Sequence, residues 1–97
     1  MARTAAQTLR IYGPPERREW VTTRACFLCW AVPSVNAHIG SKGAGMGRKA
    51  DYDQIAPICA RCHGDIHQGR IVLTEVQKTE WPKMTEERWQ IHLASVG

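Results

Sequence analysis

Two C-x-x-C pairs, Cys26/Cys29 and Cys59/Cys62, contain all four cysteines of the chain, and 29 residues separate the pairs. A pair with a two-residue gap can present both sulfurs to one ion, and two such pairs complete a tetrahedral zinc site. The constraint weighs heavily on a chain of 97 residues. That length is enough for one small domain, whose core is marginal without a metal or disulfide staple. The first twenty residues, MARTAAQTLRIYGPPERREW, contain no apolar signal segment. No stretch approaches the ~18 apolar residues of a membrane span, so no membrane partner is expected. A reducing, cytoplasmic compartment is the expectation, and there paired cysteines read as metal ligands rather than disulfides. Cys26, Cys29, Cys59 and Cys62 are therefore the expected ligands of a structural Zn2+.

Histidines crowd the second pair, in ICARCHGDIHQ at residues 58–68. If residues 60–68 are helical, His63 and His67 stand one turn apart on one face. Cys62 and His63 are adjacent and point about 100° apart around the helix. One ion cannot easily take both, which leaves the histidines free to form a second, open site. Other readings stand beside this one. A lone exposed histidine usually does nothing. CARCH also fits the C-x-x-C-H motif of c-type haem attachment, although the other cysteine pair is then unexplained. Mixed Cys3His ligation would leave one cysteine spare. His38, in NAHIG, ends a predicted strand. A hairpin folded onto the 60–68 helix would carry it to the same ion site.

The rest of the chain reads as α+β. Residues 1–13 lack an apolar period and are expected to be a poorly ordered arm. The breaker GPP at 13–15 opens a short helix or turn over ERREWVTTR. CFLCWAV reads as a zinc knuckle followed by a strand. VNAHI and QIAPIC read as further strands. Between them lies GSKGAGMGRK, a glycine-rich loop with Lys42, Arg48 and Lys49, which lacks the G-K-[ST] ending of a P-loop. ARCHGDIHQG has helical character and stops at Gly69. RIVLTEV has the β-branched content of a strand. WPKMTEERWQIHLASV ends in a helix with Thr85 as N-cap, and Trp89, Leu93 and Val96 lie on one face of it. Trp81 and Trp89 read as core more than as a docking face. The organisation expected is an arm over 1–13, a core over 14–70 and a strand/helix extension over 71–97.

Net charge is +4, and it is uneven. Residues 1–61 carry nine Lys/Arg against four Asp/Glu, whereas residues 62–97 carry four against five. The basic half would suit a polyanion, nucleic acid being the commonest, but ordinary solubility accounts for such a charge equally well.

REWVTTRACFLC, NAHIGSKGAGMGRKADYD and QIAPICARCHGDIH, taken in order, resemble the HNH endonucleases of the ββα-metal class. They are closest to the small phage and bacterial type with four zinc-binding cysteines. The resemblance covers about residues 16–68. It implies a ββα-metal finger with a zinc knuckle, flanked by an N-terminal and a C-terminal helix. It implies hydrolysis of DNA phosphodiester bonds, leaving 5′-phosphate and 3′-hydroxyl ends. His38 matches the general base. His63 and His67 match ligands of a catalytic divalent ion such as Mg2+, Mn2+, Ni2+ or Zn2+. Gln54 stands where the family has its middle asparagine. Ala37 stands where many relatives carry a metal-binding Asp or His, so a third protein ligand would have to come from Asp51 or Asp53. Lys42, Arg48, Lys49 and Arg61 are the expected DNA contacts. Weak sequence preference is expected, with binding that falls as salt rises. Two other functions compete: a zinc-stabilised nucleic-acid-binding module whose catalytic site has decayed, and a component of a phage packaging complex with a phage protein partner.

Overall fold

A computed structural model describes residues 4–40 and 51–96, apart from the side chain of Asp51. Helix α1 spans Ala5–Tyr12 and α2 spans Pro15–Thr22. Strand β1, Val35–His38, precedes a 3-10 turn at Asp51–Gln54, which leads directly into β2, Ile55–Ile58. Helix α3, Ala60–His67, and helix α4, Glu75–Val96, complete the chain. β1 and β2 form a two-stranded antiparallel sheet with Val35 opposite Ile58 and His38 opposite Ile55. The result is a small α+β fold in which a strand pair is followed by a helix.

Every residue of β2 is buried. Strand side chains alternate between faces, and β2 divides the core accordingly. Ala56 and Ile58 pack with Ala37, Ile39, Leu73 and the cysteines, while Ile55 packs with Trp20, Val21 and Trp89. Helices α2 and α4 meet over the second cluster, with the Trp20 and Trp89 rings 5.4 Å apart. The charged link between these helices is unusual. Arg17 is 1% exposed, and its Nε donates to Glu86 Oε1 at 3.2 Å. Its guanidinium also lies 5.2 Å from the Tyr52 ring centroid. Nη2 comes within 3.1 Å of the same Glu86 oxygen, but off the hydrogen-bond axis, so both Nη groups lack a hydrogen-bond partner.

Five local expectations are corrected. Residues 4–13 are not an unstructured arm, because a capping box starts α1. Gln7 N donates to Thr4 Oγ1 at 3.1 Å, and Thr4 N donates to Gln7 Oε1 at 2.8 Å. Gly13 ends that helix at φ 85°, where an added Cβ would also press on the Tyr52 ring at 3.2 Å. RIVLTEV is not a strand. A second capping box, Thr74 with Gln77, starts α4 there, at 2.7 and 3.1 Å. Thr85 is consequently inside α4 rather than its N-cap. It is buried, and its hydroxyl donates to the Trp81 carbonyl at 2.8 Å. The helix runs through Pro82, and of the predicted face only Trp89 is buried, while Leu93 and Val96 are exposed. Residues 30–32 of CFLCWAV are not a strand either. Trp30 takes a positive φ of 69°, and Cys26 N donates to the Ala31 carbonyl at 2.9 Å, closing a turn. Among the described residues no helix is long and apolar enough to cross a membrane.

The Arg17–Glu86 pair sets an asymmetry. Glu86 retains 38% side-chain exposure, so water can solvate it alone, whereas Arg17 cannot be solvated. Glu86→Ala is expected to cost about 1–3 kcal/mol, and Arg17→Met distinctly less. Urea midpoints of the zinc-loaded variants measure both.

Candidate metal centre and histidine cavity

The four cysteines converge. Cys26 and Cys29 come from the turn between α2 and β1. Cys59 is the N-cap of α3, and Cys62 lies in its first turn. All four Sγ atoms lie within 4.8 Å of one another, none is in a disulfide, and Cys29 and Cys59 approach to 3.5 Å. Zn–S bonds of about 2.3 Å in a tetrahedron would set the sulfurs about 3.8 Å apart, so the donor set fits a zinc ion. Backbone N–H groups support the sulfurs. Leu28 N donates to Cys26 Sγ and Cys62 N to Cys59 Sγ, each at 3.4 Å. The Cys62 N–H is the main reason that the Cys59 thiol is held below its ordinary pKa. Burial, reinforced by the neighbouring thiols, pushes Cys62 up to about 12. His63 is not in this ligand group, which removes the mixed Cys3His reading. Cys59 and Cys62 join the other pair in one cluster, an arrangement that the haem reading does not explain.

Arg61, expected on DNA, is exposed and stands beside the sulfurs. Its pKa is raised, chiefly by a hydrogen bond to Cys29 and then by the charges of the cluster. A four-thiolate zinc site carries net negative charge, and an exposed guanidinium beside it offsets that charge.

The histidines gather elsewhere. His38 at the end of β1 and His63 and His67 on α3 line one cavity of about 400 Å³. His63 and His67 present their Nε2 atoms 3.1 Å apart. Two imidazoles on one ion, with bonds of about 2.0–2.1 Å, hold their nitrogens about 3.0–3.4 Å apart, so this pair fits an ion. Burial, then the charges of His67 and His38, lower the His63 pKa. That shift favours the neutral ring, which is the form that ligates metal. His38 Nε2 lies 2.7 Å from the Ile11 carbonyl. A carbonyl only accepts, so Nε2 carries the proton and the neutral ring keeps its lone pair on Nδ1. The Tyr12 ring meets His38 edge-on, with centroids 5.2 Å apart.

Gln54 does not line this cavity. Its carbonyl instead accepts from Ile39 N at 3.0 Å and Gly40 N at 3.2 Å, directly after His38. Its side chain covers Gly40, where an added Cβ would fall 2.5 Å from Gln54 Oε1. Gln54 thus fixes the chain that carries His38 without lining the histidine cavity. Ala37 is fully buried on the opposite strand face and offers no ligand. Asp53 is exposed, and among the described residues no third His, Cys, Asp or Glu joins His63 and His67 in a ligand group. Lys42, Arg48, Lys49 and the side chain of Asp51 lie outside the described residues. The sequence reading overlooked two contributors. Lys78 of α4 lines the cavity, and α1 supplies the carbonyl that holds His38. Neither carries a local motif, because each depends on how a separate helix packs. Comparison with family models, curated proteins and solved structures returns no match.

Zinc takes thiolates, so its binding must displace thiol protons at neutral pH, and burial holds the Cys62 thiol in its protonated form. Calorimetry of zinc addition to the apo chain in buffers of different ionisation enthalpy is expected to show release of at least one proton per zinc. Affinity is expected to fall as pH falls. Cys59→Ser is expected to abolish stoichiometric zinc and to lower the melting temperature sharply.

Proposed function

We propose that the chain is a metal-dependent endonuclease of the HNH type, hydrolysing DNA phosphodiester bonds at the histidine cavity. One observation carries the reading: a strand end and a helix face bring His38, His63 and His67 to one space. The tautomer of His38 supports it as well. With Nε2–H held by the Ile11 carbonyl, Nδ1 is free to take a proton from an attacking water. The same hydrogen bond strengthens as the ring becomes charged, which favours proton transfer. His63 and His67 would hold the divalent ion, and the lowered pKa of His63 keeps its donor nitrogen unprotonated. When bound, that ion supplies electrostatic stabilisation of the phosphoryl oxygens and the leaving group. Lys78 adds a cation at the cavity wall for a substrate phosphate, although Glu75 at 3.3 Å shares its charge. Gln54 acts as a positioning residue through its main chain.

A second reading is favoured by a specific feature. Ala37 contributes no ligand, and the histidine pair has no third protein partner among the described residues. A zinc-stabilised nucleic-acid-binding module with a decayed site would look the same at these positions.

Cleavage of supercoiled plasmid by the zinc-loaded chain, with added Mg2+, Mn2+ or Ni2+, separates the two. The nuclease reading predicts metal-dependent nicking. It predicts a loss of about a hundredfold or more in His38→Ala, with zinc content and melting temperature retained. His63→Ala is expected to raise the concentration of added metal required. Binding without cleavage under every ion would leave the binding module as the better account.

A further inference from the structure

A second concavity, of about 590 Å³, lies between the cysteine knuckle, the end of α2 and one side of α4. It shares no lining residue with the histidine cavity. Its walls are aromatic and cationic. Trp30 and Trp81 contribute rings, with Trp81 edge-on to Phe27 at 5.3 Å. Arg24 stacks over Trp20 at 5.2 Å and Arg88 over Phe27 at 5.4 Å. Both arginines are exposed, and among the described residues neither is paired with a carboxylate. No Asp or Glu lines the groove.

Trp30 makes the groove hard to dismiss as ordinary surface. It is 75% exposed, and it holds a φ of 69°. A bulky residue in the left-handed region is strained, and glycine would suit the position better. The ring gains little from packing, so neither folding nor burial accounts for a tryptophan there. Strain kept at an exposed aromatic residue points to a ligand.

We propose that this groove binds single-stranded nucleic acid, with an unpaired base stacked on Trp30 and Trp81 and the adjoining phosphates on Arg24 and Arg88. Each nucleotide supplies both complements that the groove asks for, a flat π face and a negative charge. Arginine stacked on a ring keeps N–H donors for phosphate. A duplex holds its bases inside the stack, so the groove selects unpaired strands. The proposal stands independently of the nuclease reading, since it uses none of the histidines.

Fluorescence anisotropy tests it, with labelled oligothymidylate of about a dozen nucleotides and the full, zinc-loaded chain in a His38→Ala background that prevents cleavage. The expected result is tighter binding of the single strand than of a duplex of equal length. Trp30→Gly is expected to weaken binding about tenfold or more, in the range that base stacking contributes. Its melting temperature is expected not to fall, because the backbone strain is relieved. Arg88→Glu, on the exposed side of α4, is expected to weaken binding more than Lys83→Glu, a charge reversal on the same helix outside the groove. If Trp30→Gly should unfold the chain, that second pair decides the matter. Equal affinity in wild type and Trp30→Gly would overturn the proposal, as would equal losses in Arg88→Glu and Lys83→Glu. So would a copolymer of Glu and Tyr that binds through Trp30 while the oligonucleotide does not, which would assign the groove to an acidic protein partner.

Discussion

Four thiols drawn within 4.8 Å of one another organise everything else in this chain. They join a turn before β1 to the first turn of α3, two segments that a core this small could not hold together by apolar burial alone. The strands that separate the pairs are thereby folded back as a hairpin. β2 becomes the divider between two apolar clusters, and the N-terminus of α3 is set by a cysteine that is at once a cap and a candidate ligand. The closed polar chemistry of the sulfurs faces the interior. The histidines one residue and five residues beyond Cys62 are then turned toward a different space, in company with His38.

The metal centre and the strand–strand–helix order were legible because their signals are local. Ligand spacing constrains geometry whatever surrounds it, and short apolar runs bounded by breakers read as strands. The i, i+4 relation of His63 and His67 needs only one turn of helix. Two of the errors share one cause. Two Thr-x-x-Gln capping boxes, Thr4/Gln7 and Thr74/Gln77, start helices where composition points to an arm and a strand. Hydrogen-bonding two orphan backbone groups outweighed β-branched propensity at Val72–Val76. What could not be read was tertiary. The carbonyl of Ile11 reaches His38 only because α1 packs near β1, and Lys78 reaches the cavity only because α4 crosses there.

Helix α4 borders both concavities, with Lys78 on one and Trp81 and Arg88 on the other. It is tied to α2 through the buried Arg17 and to the knuckle through Phe27 and Trp81. A segment that the family resemblance does not cover therefore shapes both places where a polyanion could bind. Arg61 lies next to the sulfur cluster, so its charge also bears on the thiols.

The fold keeps two sets of donor atoms apart, sulfurs at the start of α3 and imidazoles at the cavity, and the proposed function gives each its own metal ion. Diffraction from Mn2+-soaked crystals of the zinc-loaded chain, with anomalous differences collected at both metal edges, tests it most directly. The expected result is zinc among Cys26, Cys29, Cys59 and Cys62, and manganese within bonding distance of both His63 Nε2 and His67 Nε2, facing His38. Manganese at other residues, or a His63–His67 pair that remains hydrogen-bonded to itself at saturating Mn2+, would contradict it.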